Sequence, residues 1–219
     1  GRGECEGRRQ RSGVDPRVFL AEAIEPATAQ LNEAIEKIQS QLPPIHLQKP
    51  SAIRAARERG EGVWGPIVTV PEARVRRIPG PNREISVRVI APASPRGVYL
   101  HFHGGGWALG AAHHCDVANL RIAQQCGLAV VSVDYRLAPE DPYPAGPDDC
   151  EAAALWGVEP AEREFGSKRL LIGGESAGGH LAGVAPEMYG LFVLGLVISA
   201  WAARIVARDL NGPSPFAAE

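Results

Sequence analysis

Apolar and polar positions change their period along the chain, and the changes mark its elements. Leu31, Ile35, Ile38 and Leu42 recur at helical spacing. Asp15-Pro16 predicts a helix start, with the aspartate as cap and the proline in the first turn. Pro26 breaks or restarts that helix, and Pro43-Pro44 ends the run. Ser51 is placed to cap a short second helix that closes near Gly60. The period then falls to two. Ile85, Val87 and Val89 alternate with Ser86 and Arg88, which predicts a half-buried strand over 84–90. Residues 71–78 form its partner across Pro79-Gly80-Pro81-Asn82-Arg83, a turn sequence that predicts a hairpin.

From here strands and helices alternate. Residues 98–102 read as a strand. Residues 115–126 read as a helix whose Val117, Leu120, Ile122 and Ala123 face a sheet. Residues 128–133 are continuously apolar, as in a parallel strand covered on both faces. A helix over 149–156, a strand over 170–172 and a helix from Ala177 follow, and 193–199 reads as a sixth strand. Such an alternation predicts an α/β fold with a doubly wound, mostly parallel sheet. The expected division is a polar tail over 1–13, an N-terminal helical segment over 14–62, the core over 63–203 and an irregular tail over 204–219.

Composition narrows the class. A hydrophobic fraction of 45% and a charged fraction of 22% are those of an ordinary globular protein. A net charge of −2 argues against nucleic acid or an anionic membrane surface as partner. The apolar stretch 191–203 is too short to cross a bilayer. Cys5, Cys115, Cys126 and Cys150 show no metal spacing and read as reduced thiols in a cytoplasmic protein. The charged start has no apolar core and does not read as a signal peptide.

Two glycine-rich stretches carry the candidate chemistry. Gly174-x-Ser176-x-Gly178 follows the strand at 170–172 and precedes a helix, the pattern of a nucleophile elbow. A sharp strand-to-helix turn there pushes the serine oxygen out of the sheet at the positive end of a helix. His103-Gly104-Gly105-Gly106-Trp107 follows an earlier strand and suits an oxyanion hole, where backbone N–H groups must reach a developing alkoxide unobstructed. Neither G-x-G-x-x-G nor G-K-[ST] is present, which argues against a phosphate loop. His101 and His103 lie two apart on a strand end, but no carboxylate or cysteine completes a metal site. His113-His114 reads as a solvated helix start.

Together with Val133-Asp134-Tyr135-Arg136-Leu137-Ala138-Pro139-Glu140, these motifs resemble the hormone-sensitive-lipase-like branch of the α/β-hydrolases, a branch of carboxylesterases and lipases. The resemblance spans about residues 75–183. It implies a serine hydrolase of carboxylic esters with short or medium acyl chains, working through an acyl-serine intermediate. Ser176 would be the nucleophile. Gly104, Gly105, Gly106 and Ala177 would form the oxyanion hole, with His103 as loop support. The Asp134-Tyr135-Arg136 stretch would brace the core, and the N-terminal helices would cap the site. No cofactor and no metal are implied. The expected partner is a small-molecule ester, and a homo-oligomer is left open.

One part of the family pattern is not found. The order in this fold is serine, then acid, then histidine. After Ser176 come Glu187, Asp209, the terminal Glu219 and one histidine, His180, a single helical turn from the serine. The triad acid and base are therefore unassigned, and the chain reads as a hydrolase that stops after its sixth strand. A non-catalytic relative that binds a small apolar ligand is the alternative.

Overall fold

A computed structural model describes residues 23–158 and 160–187, together with Arg17 and Leu20. The expected helix start at Asp15-Pro16, the sixth strand at 193–199 and both tails lie outside the described residues.

Among the described residues five strands form one mixed sheet: β1 (Arg74–Pro79), β2 (Glu84–Ile90), β3 (Val98–Phe102), β4 (Ala129–Val133) and β5 (Leu170–Gly174), in the order β1-β2-β4-β3-β5. β1 and β2 are the expected antiparallel hairpin, with Ile78 opposite Ile85. β2 also pairs antiparallel with β4, and β3 is parallel to both β4 and β5. Every residue of β3 and of β4 is buried, as covering on both faces requires.

The helices are α1 (Pro26–Gln39), α2 (Pro50–Glu58), α3 (Asp116–Cys126), α4 (Ala145–Val158), α5 (Pro160–Phe165) and α6 (Ala177–Glu187). They make the sheet doubly wound. Val87, Leu100, Phe102, Val131 and Val133 pack with Cys150 and Ala153 of α4, Ala161 of α5 and Leu181 of α6. On the other face Ile90, Tyr99 and Val130 meet Ala123, Leu120 and Ile122 of α3.

Two local readings change. Val117 is exposed, and α3 instead buries Asp116 and Asn119. Asp116 is buried because Arg88 grips it through Nε (2.7 Å) and Nη2 (2.5 Å), while the Val70 N–H donates to its Oδ2. Ser51 does not cap α2; Pro50 occupies the first turn after Lys49, where its fixed φ suits a helix start. α1 begins at Pro26 for the same reason. Neither α1 nor α2 contains a buried residue, and Leu31 and Ile38 are exposed.

A second ion pair pins α4. Asp149, fully buried, accepts the backbone N–H of Arg136 (3.0 Å) and its guanidinium through Nε and Nη2. Removing one partner of such a pair leaves an uncompensated charge. Asp149→Ala should cost about 3 kcal/mol, read as a lower denaturant midpoint with an unchanged slope. A loss under about 0.5 kcal/mol, the range of a plain surface change, would contradict this.

Candidate active site

The parallel register of β3 and β5 sets Phe102 opposite Gly174. Both strands end at that level, so the residues that follow each of them lie side by side. His103-Gly104-Gly105-Gly106 leaves the end of β3; Glu175-Ser176 leaves the end of β5 and enters α6 at Ala177. A Cβ placed on Gly104 would lie 3.5 Å from Cβ of Ser176. The expected nucleophile and oxyanion loop are therefore in contact.

Ser176 has φ +53°, a left-handed conformation that is uncommon for a residue with a side chain. Such a conformation is what a nucleophile elbow would require. The turn closes because Gly178 has no side chain: its Cβ would strike the carbonyl of Phe102 and come within 2.7 Å of the carbonyl of His103. Gly178 N–H donates to Glu175 O (2.9 Å) and His180 N–H to Ser176 O (3.1 Å), which starts α6 directly beneath the serine. Ser176 is exposed.

The oxyanion loop is held from below. His103 is buried, donates from Nδ1 to the carbonyl of Gly104 (2.8 Å), and stacks on Tyr135 with ring centroids 4.3 Å apart. Tyr135 Oη donates back to the carbonyl of His103 (2.6 Å). Burial pushes the His103 imidazole below its ordinary pKa, which favours the neutral ring. Gly105 has φ +129°, a region that only glycine enters freely, and its carbonyl accepts the N–H of Leu109 (2.9 Å) and of Ala108 (3.2 Å). The loop thus turns back on itself after Gly106.

The donors divide. Gly104 N–H is already taken, by Oε1 of Glu175 at 2.9 Å. Gly105 N–H and Gly106 N–H have no acceptor among the described residues. Ala177 N–H lies in the first turn of α6, outside the intrahelical ladder.

Glu175 is the residue that sequence reasoning missed. Besides Gly104 N–H, its carboxylate accepts His101 Nε2 (2.8 Å) and the Cys115 thiol (3.4 Å). His101, nearly buried, meets Ser132 Oγ through Nδ1 (2.8 Å). Burial alone would raise the Glu175 carboxyl; the His101 hydrogen bond and charge, with Gly104 N–H and Cys115, outweigh it and hold the pKa at about 2. In the sequence Glu175 is an unconstrained position of G-x-S-x-G; what identifies it is the β3–β5 register. His101 and His103 have different partners; contrary to the sequence reading, a cysteine and a carboxylate, Cys115 and Glu175, do converge on His101.

No imidazole is bonded to Ser176 Oγ among the described residues. His180 packs its ring edge-on against Trp107, with centroids 5.5 Å apart. Trp107 has φ +60°, and its carbonyl accepts Ala138 N–H (3.0 Å). Arg54 of α2 reaches the same place, donating to the carbonyls of Ala108 (2.6 Å) and Ala138 (3.4 Å) and to Glu140 Oε1 (2.5 Å).

The chain is similar to known proteins. Residues 99–188 match a family model described as the alpha/beta hydrolase fold. The chain is 39% identical over 144 residues to carboxylic ester hydrolase LipN of Mycobacterium tuberculosis, covering 63% of this chain and 34% of LipN. It is 36% identical over 177 residues to carboxylesterase NlhH of the same organism, covering 78% of this chain and 50% of NlhH. Among solved structures, a hyperthermophilic esterase of Pyrobaculum calidifontis superposes with a TM-score of 0.65 at 28% identity, over 78% of this chain and 56% of that one. An ester hydrolase from the metagenome of Lake Arreo, solved with a bipyridine phosphonate derivative, does so with a TM-score of 0.64 at 32% identity, over 75% and 55%. This chain thus spans about a third to a half of the length of the curated relatives it matches. No described helix is long and apolar enough to cross a membrane.

The Glu175 network sets a pH dependence. A carboxyl held at about 2 in the folded chain, against an ordinary 4.5, adds stability above pH 4.5 and loses it as pH falls towards 2. Thermal midpoints measured from pH 6 down to about 2 should therefore fall less steeply for Glu175→Gln than for the parent chain. Parallel curves would show that Glu175 is not held ionised by these contacts.

Proposed function

We propose that this chain belongs to the hormone-sensitive-lipase-like branch of the α/β-hydrolases and that its site hydrolyses carboxylic esters through an acyl-serine intermediate. The observation that carries the proposal is the contact between loop and elbow. It sets a strained, exposed serine beside backbone N–H groups that have no other acceptor among the described residues.

In the proposed reaction Ser176 Oγ attacks the ester carbonyl carbon and a base takes its proton. The carbonyl oxygen becomes an alkoxide and receives hydrogen bonds from the N–H groups of Gly105, Gly106 and Ala177. Gly104 shapes the loop instead, because its own N–H is committed to Glu175. The alcohol departs with a proton, and water releases the acid from Ser176. All six histidines lie among the described residues and none bonds to Oγ. The proposal therefore leaves the base and the acid unassigned.

The proposal extends to the N-terminal segment. Arg54 ties α2 to the loop after Trp107, which supports the reading of the N-terminal helices as a cap over the site mouth that would select short or medium acyl chains. A cytoplasmic setting fits the free thiols of Cys115, Cys126 and Cys150. A non-catalytic ligand-binding role is not favoured, since the matched relatives bear esterase names.

In the protein that carries this sequence, Ser176→Ala should remove nearly all p-nitrophenyl ester turnover, leaving roughly the 10³- to 10⁴-fold over water that binding and the oxyanion hole supply. Retention of most of the parent rate would refute the assignment. The 219-residue chain by itself should turn over no faster than that variant; a rate well above it would make His180 the base, and His180→Ala would then abolish it.

Gly105→Val would run its side chain into the Leu109 backbone and displace the loop donors. kcat should fall on the order of 10²-fold or more, as for loss of an oxyanion donor. A folded variant with unchanged kcat would remove this loop from the chemistry.

A further inference from the structure

The short 3₁₀ turn Ala112–Cys115 joins the oxyanion loop to α3 and carries the adjacent histidines His113 and His114. Neighbouring positions on such a turn point in different directions, yet both rings turn onto one carboxylate, that of Glu58 at the end of α2. His113 Nε2 lies 3.0 Å from Glu58 Oε2, and His114 Nε2 lies 2.9 Å from Glu58 Oε1. The rings stand edge to face, with centroids 4.5 Å apart and planes at 74°. The three donor atoms lie within 4.8 Å of one another.

We infer that Glu58, His113 and His114 form a binding site for a divalent first-row transition cation such as zinc, which clips the end of α2 to the core. The donor set is two imidazole nitrogens and one carboxylate oxygen, the ligand chemistry that suits zinc and its neighbours. Zinc bonds run about 2.0–2.1 Å to nitrogen and 2.0–2.2 Å to oxygen. A cation between the three groups needs them to spread by a few tenths of an ångström from the present hydrogen-bonded spacing. Each Nε2 must present its lone pair, so a neutral ring carries its hydrogen on Nδ1 instead. Glu58 supplies a carboxylate oxygen as the third donor. Three protein donors leave a fourth position for water, and the half-exposed Glu58 side chain leaves the site open to solvent.

A second convergence, His101, Cys115 and Glu175, is a poorer site. Burial and the Glu175 charge push the Cys115 thiol well above its ordinary range, so the thiolate a metal needs is disfavoured. His101 and Glu175 are also already engaged with Ser132 and Gly104.

The test is zinc binding to the chelator-stripped, 219-residue chain, followed by isothermal titration and, with cobalt(II) in place of zinc, by visible absorption. One equivalent of zinc should bind, with cobalt(II) giving the intense bands of a low-coordinate nitrogen–oxygen site, and the thermal midpoint should rise with zinc concentration. Glu58→Gln keeps a hydrogen-bonding group of the same shape but removes the anionic donor; His113→Ala removes a nitrogen. Each should weaken binding by more than the roughly 10- to 100-fold that loss of a supporting outer-shell group costs, with an unchanged far-ultraviolet circular dichroism spectrum. His46→Gln, at an exposed histidine away from the cluster, should bind as the parent does. Absence of stoichiometric binding would overturn the proposal, as would binding that survives both Glu58→Gln and His113→Ala or is weakened equally by His46→Gln. Ester turnover plays no part in the readout, so the result is independent of the proposed hydrolase activity.

Discussion

The site depends on one close approach. β3 and β5 run parallel and end at the same level, with Phe102 opposite Gly174. The start of α6 then passes directly over the end of β3, so near that a side chain on Gly174 or Gly178 would strike the Phe102 carbonyl. Any residue but glycine at these positions forces α6 away from the sheet. That would separate Ser176 from the Gly104–Gly106 loop, and a displacement of about 1 Å at reacting groups costs around 10²-fold in rate. Leu181, fully buried on α6, anchors the same helix one turn later. The buried face of α6 and the strained serine on its N-terminus are therefore two consequences of one packing contact.

A second regularity concerns how the irregular backbone is held. Four carboxylates each accept one N–H from a segment that leaves a strand or enters a helix. Asp116 takes Val70, Asp134 takes Ala112, Asp149 takes Arg136 and Glu175 takes Gly104. Three of them also bind a cationic or imidazole partner: Arg88, Arg136 and His101. Buried backbone donors need an acceptor, and a charged acceptor makes the stronger bond. In this sheet the loops at the carboxyl ends of the strands satisfy one another only in part, as where Ala138 N–H donates to the Trp107 carbonyl. Acidic side chains from the flanking elements fill that need. Asp134-Tyr135-Arg136 shows this within one stretch, its three side chains supporting Ala112, His103 and α4.

Legibility in the sequence followed how local each determinant is. The hairpin, the buried strands and the two glycine-rich turns were readable because period and turn chemistry act within a few residues. Ser176, the three loop glycines and His103 carry local signatures for the same reason. Glu175 was not readable, since its partners His101 and Gly104 come from another strand and meet it only through register. Val117 was misplaced because hydrophobicity was weighed without the Arg88–Asp116 pair, which turns the buried face of α3 by a residue. Arg54 and Glu58 had no signal at all: a basic and an acidic residue four apart on a short helix read as a solvated face.

That last failure bears on how the N-terminal helices attach. α2 buries no residue, so the hydrophobic effect does little to seat it. What seats it is polar and one-sided. Arg54 and Glu58 are one turn apart and so share a face, and between them they reach Ala108, Ala138, Glu140, His113 and His114. Arg57 adds a bond to the Gly65 carbonyl (2.5 Å). Directional bonds at a wet surface are each worth about 1 kcal/mol or less. They fix orientation closely while holding weakly, which is the opposite of an apolar seam. An element attached in this way belongs to the least stable part of the fold and opens before the sheet does. Since three of its contacts fall on the backbone just after Trp107 and on the turn leading to α3, opening of α2 would be felt first at the oxyanion loop, and only later in the core.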